Sequence, residues 1–122
     1  MANATVFVNG VDTNGLYLYN TTGAALVADQ FTVIGMKCLK ATDAIADAAK
    51  GGFERLFHKP VRVNTFVTGD STFATANLPV YWKPTTNEFA ATTATGYYLV
   101  GYSIAPIASG VLEFIVEDPI LK

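Results

Sequence analysis

Few side chains in this sequence can carry out covalent chemistry, and their spacing decides what each can do. His58 is the single histidine and Cys38 the single cysteine. A metal centre needs ligands at recurrent short spacings, and His58 has none to Cys38 or to a carboxylate pair. Glu54 lies four positions before His58, which would place both on one helix face. The local sequence reads as strand, however, where the two share a face but stand far apart. His58 is therefore expected at a structural or solvent-facing position. Gly101-Tyr102-Ser103-Ile104-Ala105 is close to the strained turn that exposes a hydrolase serine, but its last glycine is replaced by Ala105. Pro106-Ile107-Ala108-Ser109-Gly110 follows in place of a helix, and the required histidine would have to precede the serine. Gly51-Gly52 runs into Phe53-Glu54, and no Gly-Lys-Ser or Gly-Lys-Thr occurs, so no phosphate-cradling loop is expected. Glu113 and Glu117 fall on one face of a strand with Asp118 just beyond, and a solvated face accounts for them without a glycosidase pair. The expectation is a non-enzyme with no catalytic residue, no metal and no cofactor.

The aromatic residues say more. Tyr81, Trp82, Tyr97, Tyr98 and Tyr102 crowd one stretch, and strand alternation forces some of their rings onto opposite sheet faces. Tyrosine and tryptophan suit places that are apolar at one end and wet at the other: a core rim, a protein interface or a sugar-stacking platform. Trp82, Tyr97, Tyr98 and Tyr102 are candidates for a subunit interface.

The elements that must position these rings read as strands. From Leu78 to Glu117 the chain looks like three strands and two turns, beginning with Val80-Tyr81-Trp82, which Pro84 ends. The second alternates Tyr98, Val100, Tyr102 and Ile104 against Tyr97, Leu99, Gly101 and Ser103. The third alternates Leu112, Phe114 and Val116 against Val111, Glu113, Ile115 and Glu117. Upstream, Thr5 to Val11 and Leu16 to Asn20 read as strands joined by Asp12-Thr13-Asn14-Gly15, where Asn-Gly is a hairpin signal. Those four residues resemble part of a calcium loop, but its closing glutamate is missing. Phe31 to Leu39 is β-rich. Ala41 to Lys50 has helical composition, with Thr42 or Asp43 as N-cap and Gly51-Gly52 as stop, yet Ile45 is its only large apolar residue and an irregular loop fits equally. Pro60 splits Gly52 to Val67 into two short strands, Thr68 to Ser71 is a turn, and Thr72 to Asn77 reads as a polar connection. The pattern predicts an all-β fold: a small β-barrel or sandwich of short, mostly antiparallel strands, with at most one short helix near residues 42–50. Residues 10–122 form its single domain, and residues 1–9 are either an N-terminal arm or part of a first strand.

Composition narrows the partners. The 122 residues suit one domain, with 51% hydrophobic and only 15% charged residues and a net charge of −2. So few charges imply that some apolar surface is covered by another chain. No run of Lys or Arg exists; the nearest cluster is Arg55, His58, Lys59 and Arg62, so no nucleic-acid partner is expected. Cys38 cannot form an intrachain disulfide, sits among apolar residues as a buried small side chain, and fits a reducing compartment. Met-Ala-Asn-Ala-Thr shows no signal-peptide pattern, and no apolar run is long enough to span a bilayer, so no membrane partner is expected.

One family pattern emerges from the turns. Val80-Tyr81-Trp82 with its Thr-rich turn, Thr92-Thr93-Ala94-Thr95-Gly96, Leu99-Val100-Gly101, Ala108-Ser109-Gly110 and the closing Val111 to Val116 strand resemble the C-terminal half of small tailed-phage capsid decoration, or head-stabilising, proteins. Leu26-Val27-Ala28-Asp29-Gln30, Val33-Ile34-Gly35 and Asp43-Ala44-Ile45-Ala46 resemble further elements of that family, so the likeness spans residues 24–117. It departs at Leu78-Pro79, where the family has Gly-Asp, and in extra residues from Arg62 to Ala76. The resemblance implies a protein made in the host bacterial cytoplasm that binds the outer capsid surface of the virion. Its partner would be the major capsid protein and its state a homo-oligomer, trimer favoured. The N-terminal segment Met1 to Asn9, with Asn3, Thr5, Val6 and Phe7, is then a candidate capsid contact that adds to a strand edge through main-chain bonds. The alternative is a carbohydrate-binding β-sandwich with Trp82 and the tyrosines as platforms.

Overall fold

The computed structural model describes residues 15–67 and 72–122. The candidate arm Met1 to Asn9 with Asn3, Thr5, Val6 and Phe7, the Thr5 to Val11 strand, the turn before Gly15 and the Thr68 to Ser71 turn lie outside the described residues. Within them the chain is all β, as expected. Nine strands run in order: β1 (Gly15–Tyr19), β2 (Phe31–Ile34), β3 (Lys37–Ala41), β4 (Lys50–Arg55), β5 (Pro60–Val63), β6 (Pro79–Lys83), β7 (Glu88–Ala90), β8 (Tyr98–Ser103) and β9 (Leu112–Leu121). They form two antiparallel sheets, β1-β4-β3-β2 and β5-β9-β8-β6-β7.

The larger sheet is curled. After β5 pairs with β9, the same stretch of chain reaches the opposite edge, where Val67 N–H donates to Phe89 O and Phe89 N–H donates to Thr65 O. Its inward residues close on one core holding Phe73, Val80, Trp82, Phe89, Val100, Leu112, Phe114 and Val116. The alternation of β9 explains its part: Leu112, Phe114 and Val116 are buried while Glu113, Ile115 and Glu117 are not.

The Leu78 to Glu117 stretch holds four strands rather than three, because Glu88–Ala90 pairs back on β6 as β7. In β8 the simple alternation also fails. Register slips between Leu99 and Gly101, Val100 and Gly101 are both buried, and Ser103 is turned inward with them. A bulge puts two neighbours on one side of the ladder, so every later side chain changes face. Thr72 to Asn77 is not purely polar in role either, since Phe73 is fully buried and packs 6.0 Å from the Phe66 ring. Gly52 to Val67 holds the end of β4 and the separate strand β5, as expected, and Pro60 opens the second opposite Ile115.

In the smaller sheet the β-rich Phe31 to Leu39 segment folds as a hairpin. Gly35 and Met36 both take positive φ, 60° and 58°, the two-residue turn whose twist matches its strands. Phe31, Val33 and Cys38 face the larger core, while Leu39 and Ala41 face a second core with Leu26, Ile45 and Phe53.

Two loops cover that second core and are built alike. Leu26 and Ile45 exchange backbone hydrogen bonds; Asp29 and Ala48, each three residues further on, take positive φ; and strands begin at Phe31 and Lys50. The helical composition of Ala41 to Lys50 is therefore overridden, and no helix occurs among the described residues. With one apolar anchor, Ile45, the segment gains more from the bridge to Leu26 than from a helix with no face to bury. Asn20 secures it: its side-chain amide donates to Ala24 O, Ile45 O and Ala46 O, and its Oδ1 accepts from Thr22.

Candidate interaction surface

The groups with chemical potential are engaged in structure. Ser103 is 2% exposed; its Oγ accepts from Leu78 N–H at 2.9 Å and donates to Thr75 O at 3.0 Å, tying the loop before β6 to β8. His58 sits at positive φ at the surface, its ring stacked 3.7 Å from Phe57 and its Nε2 3.4 Å from a Glu117 oxygen. Arg55 pairs with Asp118 at 3.1 Å, and Lys59 donates to Glu54 at 2.6 Å. Lys40 reaches both Glu54 and Asp29, at 3.5 and 3.6 Å. The Lys59 hydrogen bond, with Lys40 nearby, holds the Glu54 carboxyl below the usual glutamate range. Three members of the sequence's basic cluster are thus paired with carboxylates on neighbouring strands. Burial pushes the Cys38 thiol up to about 12. Among the described residues, no three of His, Cys, Asp and Glu gather as a group that could hold a metal ion.

The four aromatic candidates do not form one surface. Trp82 is 5% exposed; its ring meets Phe31 edge-on at 5.3 Å and its Nε1 donates to Asn87 Oδ1 at 2.8 Å. Tyr98 is opposite Trp82 in the register and half-buried against the same core. Tyr97, just before β8, is half-buried beside the chain end, where its carbonyl accepts from Lys122 N–H. Only Tyr102 points clearly outward, 44% exposed.

Tyr102 belongs to an outward row that crosses four strands. Pro60 pairs with Ile115, Ile115 with Tyr102, and Tyr102 with Pro79. A neighbouring row runs Tyr81, Leu99, Ile120. Ile104 adds to the exposed apolar area, and Arg62, Glu113 and Glu117 border it. An apolar centre with a charged margin is the anatomy of a protein-contact surface. Its aromatic type singled out Tyr102 but not its row, because register decides which residues lie opposite. A second exposed aromatic pair was also missed, Tyr17 and Tyr19 on β1, with Lys50 Nζ 5.1 and 5.4 Å from their ring centres. Their i, i+2 spacing was the available signal.

Fold and surface together define a two-sheet antiparallel β domain with an apolar row on its outward face. No family model, curated protein or solved structure matches the chain.

Proposed function

We propose that this protein is a phage capsid decoration protein that binds the outside of the head and stabilises the shell. The reading rests on the turn-and-strand resemblance and is supported by one observation above others: the uncharged row Pro60, Ile115, Tyr102 and Pro79 on the outward face of the larger sheet. Clamping neighbouring shell subunits requires burial and shape rather than bond-breaking groups, and such a face supplies both. In this reading the partner is the major capsid protein, the working state is a homo-oligomer with a trimer favoured, and Met1 to Asn9 makes a further shell contact through Asn3, Thr5, Val6 and Phe7.

The test mixes purified protein with undecorated phage heads and measures occupancy and resistance to heat. Saturable binding with a raised disruption temperature is expected. Tyr102→Glu, which places a charge in the centre of the row, should weaken occupancy about tenfold or more. Absence of binding at micromolar protein overturns the reading.

A further inference from the structure

Between the outer edge of β2 and the β6–β7 hairpin lies a cavity of about 220 Å³ whose walls include Thr22, Gln30, Thr32, Trp82, Asn87 and Tyr98. Among the described residues, no Asp, Glu, Lys, Arg or His lines it. An ionised ligand would find no countercharge there, so its occupant must be neutral.

The polar groups around it are oriented. Thr32 is 2% exposed and belongs to the cavity wall. A hydroxyl on a cavity wall can both donate to and accept from a ligand hydroxyl. Asn87 accepts from Trp82 Nε1 at 2.8 Å through Oδ1, and Gln30 accepts from Val27 N–H at 3.1 Å through Oε1. Each amide oxygen is thereby held, which leaves each NH₂ as a donor. Trp82 and Tyr98, 6.1 Å apart, supply the aromatic side. Hydroxyl and amide groups beside aromatic carbon, with no charge, match a molecule that carries hydroxyls on its rim and C–H groups on its face.

We propose that this cavity binds a single neutral sugar ring, such as the terminal unit of a glycan. Its volume admits one ring and not a buried chain. The site lies away from the Pro60, Ile115, Tyr102 and Pro79 row, so the proposal stands or falls independently of shell binding.

The full chain is titrated with glucose, galactose, mannose and N-acetylglucosamine while amide and indole shifts are followed by NMR. At least one sugar should bind at millimolar concentration, with shifts confined to residues 22–33, 82–87 and 98. Thr32→Val preserves shape and removes the hydroxyl, and should weaken that binding about tenfold with the fold unchanged. Gln30→Ala, on a half-buried side chain, should also weaken it, which guards against a Thr32 variant that merely misfolds. Tyr102→Glu should leave sugar binding unchanged. No shift with any of the four sugars at about 50 mM overturns the proposal. So does sugar binding indifferent to both variants, or adenosine producing the same shifts more tightly, which would mark a cavity for a flat base.

Discussion

The Cys38 thiol donates to the Glu117 carbonyl across 3.4 Å, joining residues 79 positions apart and fastening β3 of one sheet to β9 of the other. The contact falls where β9 leaves regular pairing: Val116 is opposite Gly101 and Ile120 opposite Leu99, so Glu117, Asp118 and Pro119 together face Val100. A bulge frees main-chain groups from the ladder, and here the smaller sheet takes them up. Asp118 receives Arg55 and Glu117 receives His58 at the same place, so the two sheets are joined by polar contacts around one buried sulfur.

That burial makes the thiol unreactive. Desolvation first, and the Asp118 charge second, push it up to about 12, so only about one thiol in ten thousand is ionised at pH 8. A disulfide reagent at pH 8 should modify the native protein at least about a hundredfold more slowly than the protein unfolded in denaturant. The folded pKa lies above the unfolded value of about 8.5, so this group's stabilisation is complete below that pH and is lost as pH rises toward 12. Cys38→Ala should flatten the alkaline decline in melting temperature. Equal modification rates in the native and unfolded states would refute the assignment.

The parts of this fold that sequence exposes are those in which one local pattern meets one buried face. β9 is such a case, with Leu112, Phe114 and Val116 inside and Glu113, Ile115 and Glu117 outside. β8 is not: its bulge is signalled only by Gly101, and missing it assigns Ser103 and Tyr102 to the wrong faces. Phe73 is invisible as core because its neighbours are Thr72, Ala74 and Thr75, and long-range contacts fix the segment: Ile107 N–H at the Phe73 carbonyl and the Ser103 hydroxyl at Thr75 O. Ala41 to Lys50 carries helical propensity that the Leu26 bridge and Asn20 override from outside the segment. Trp82 has the composition of an interface residue, but the inward parity of β6 places it in the core. In each case the deciding contact is non-local, and propensity carries no term for it.

Glu54 provides a second, acid-side test. Its carboxyl is lowered chiefly by the Lys59 hydrogen bond, so its stabilisation is present above the unfolded glutamate value of about 4.3 and is lost as pH falls through the lower folded value. Thermal melts of the native chain and of Glu54→Gln should differ by a few degrees, about the size expected of a partly exposed network, at pH 7. The two curves should converge near pH 3, and 1 M salt should narrow the gap at pH 7 because Lys40, Lys59 and Glu54 all retain solvent contact. A difference that persists unchanged at pH 3 would show that glutamine disturbs packing rather than charge.

Gly101 tests the geometry of the bulge directly. A Cβ built there would press into the Ile115 carbonyl oxygen and lie 2.8 Å from Cδ2 of the fully buried Phe114. The carbonyl is main chain in the paired strand β9, so it cannot move aside without breaking the ladder that carries Tyr102 and Ile115 on its outer side. Gly51 is crowded differently: its added Cβ meets only the Ile45 side chain, at 2.6 Å from Cγ1 and Cδ1, and a rotamer change can relieve part of that contact. Gly101→Ala should therefore cost about 3 kcal/mol or more, or prevent folding, while Gly51→Ala should cost roughly half as much or less. Urea unfolding of both variants decides the order. Equal losses would mean that β9 can yield at Ile115, and that the bulge is softer than its contacts imply.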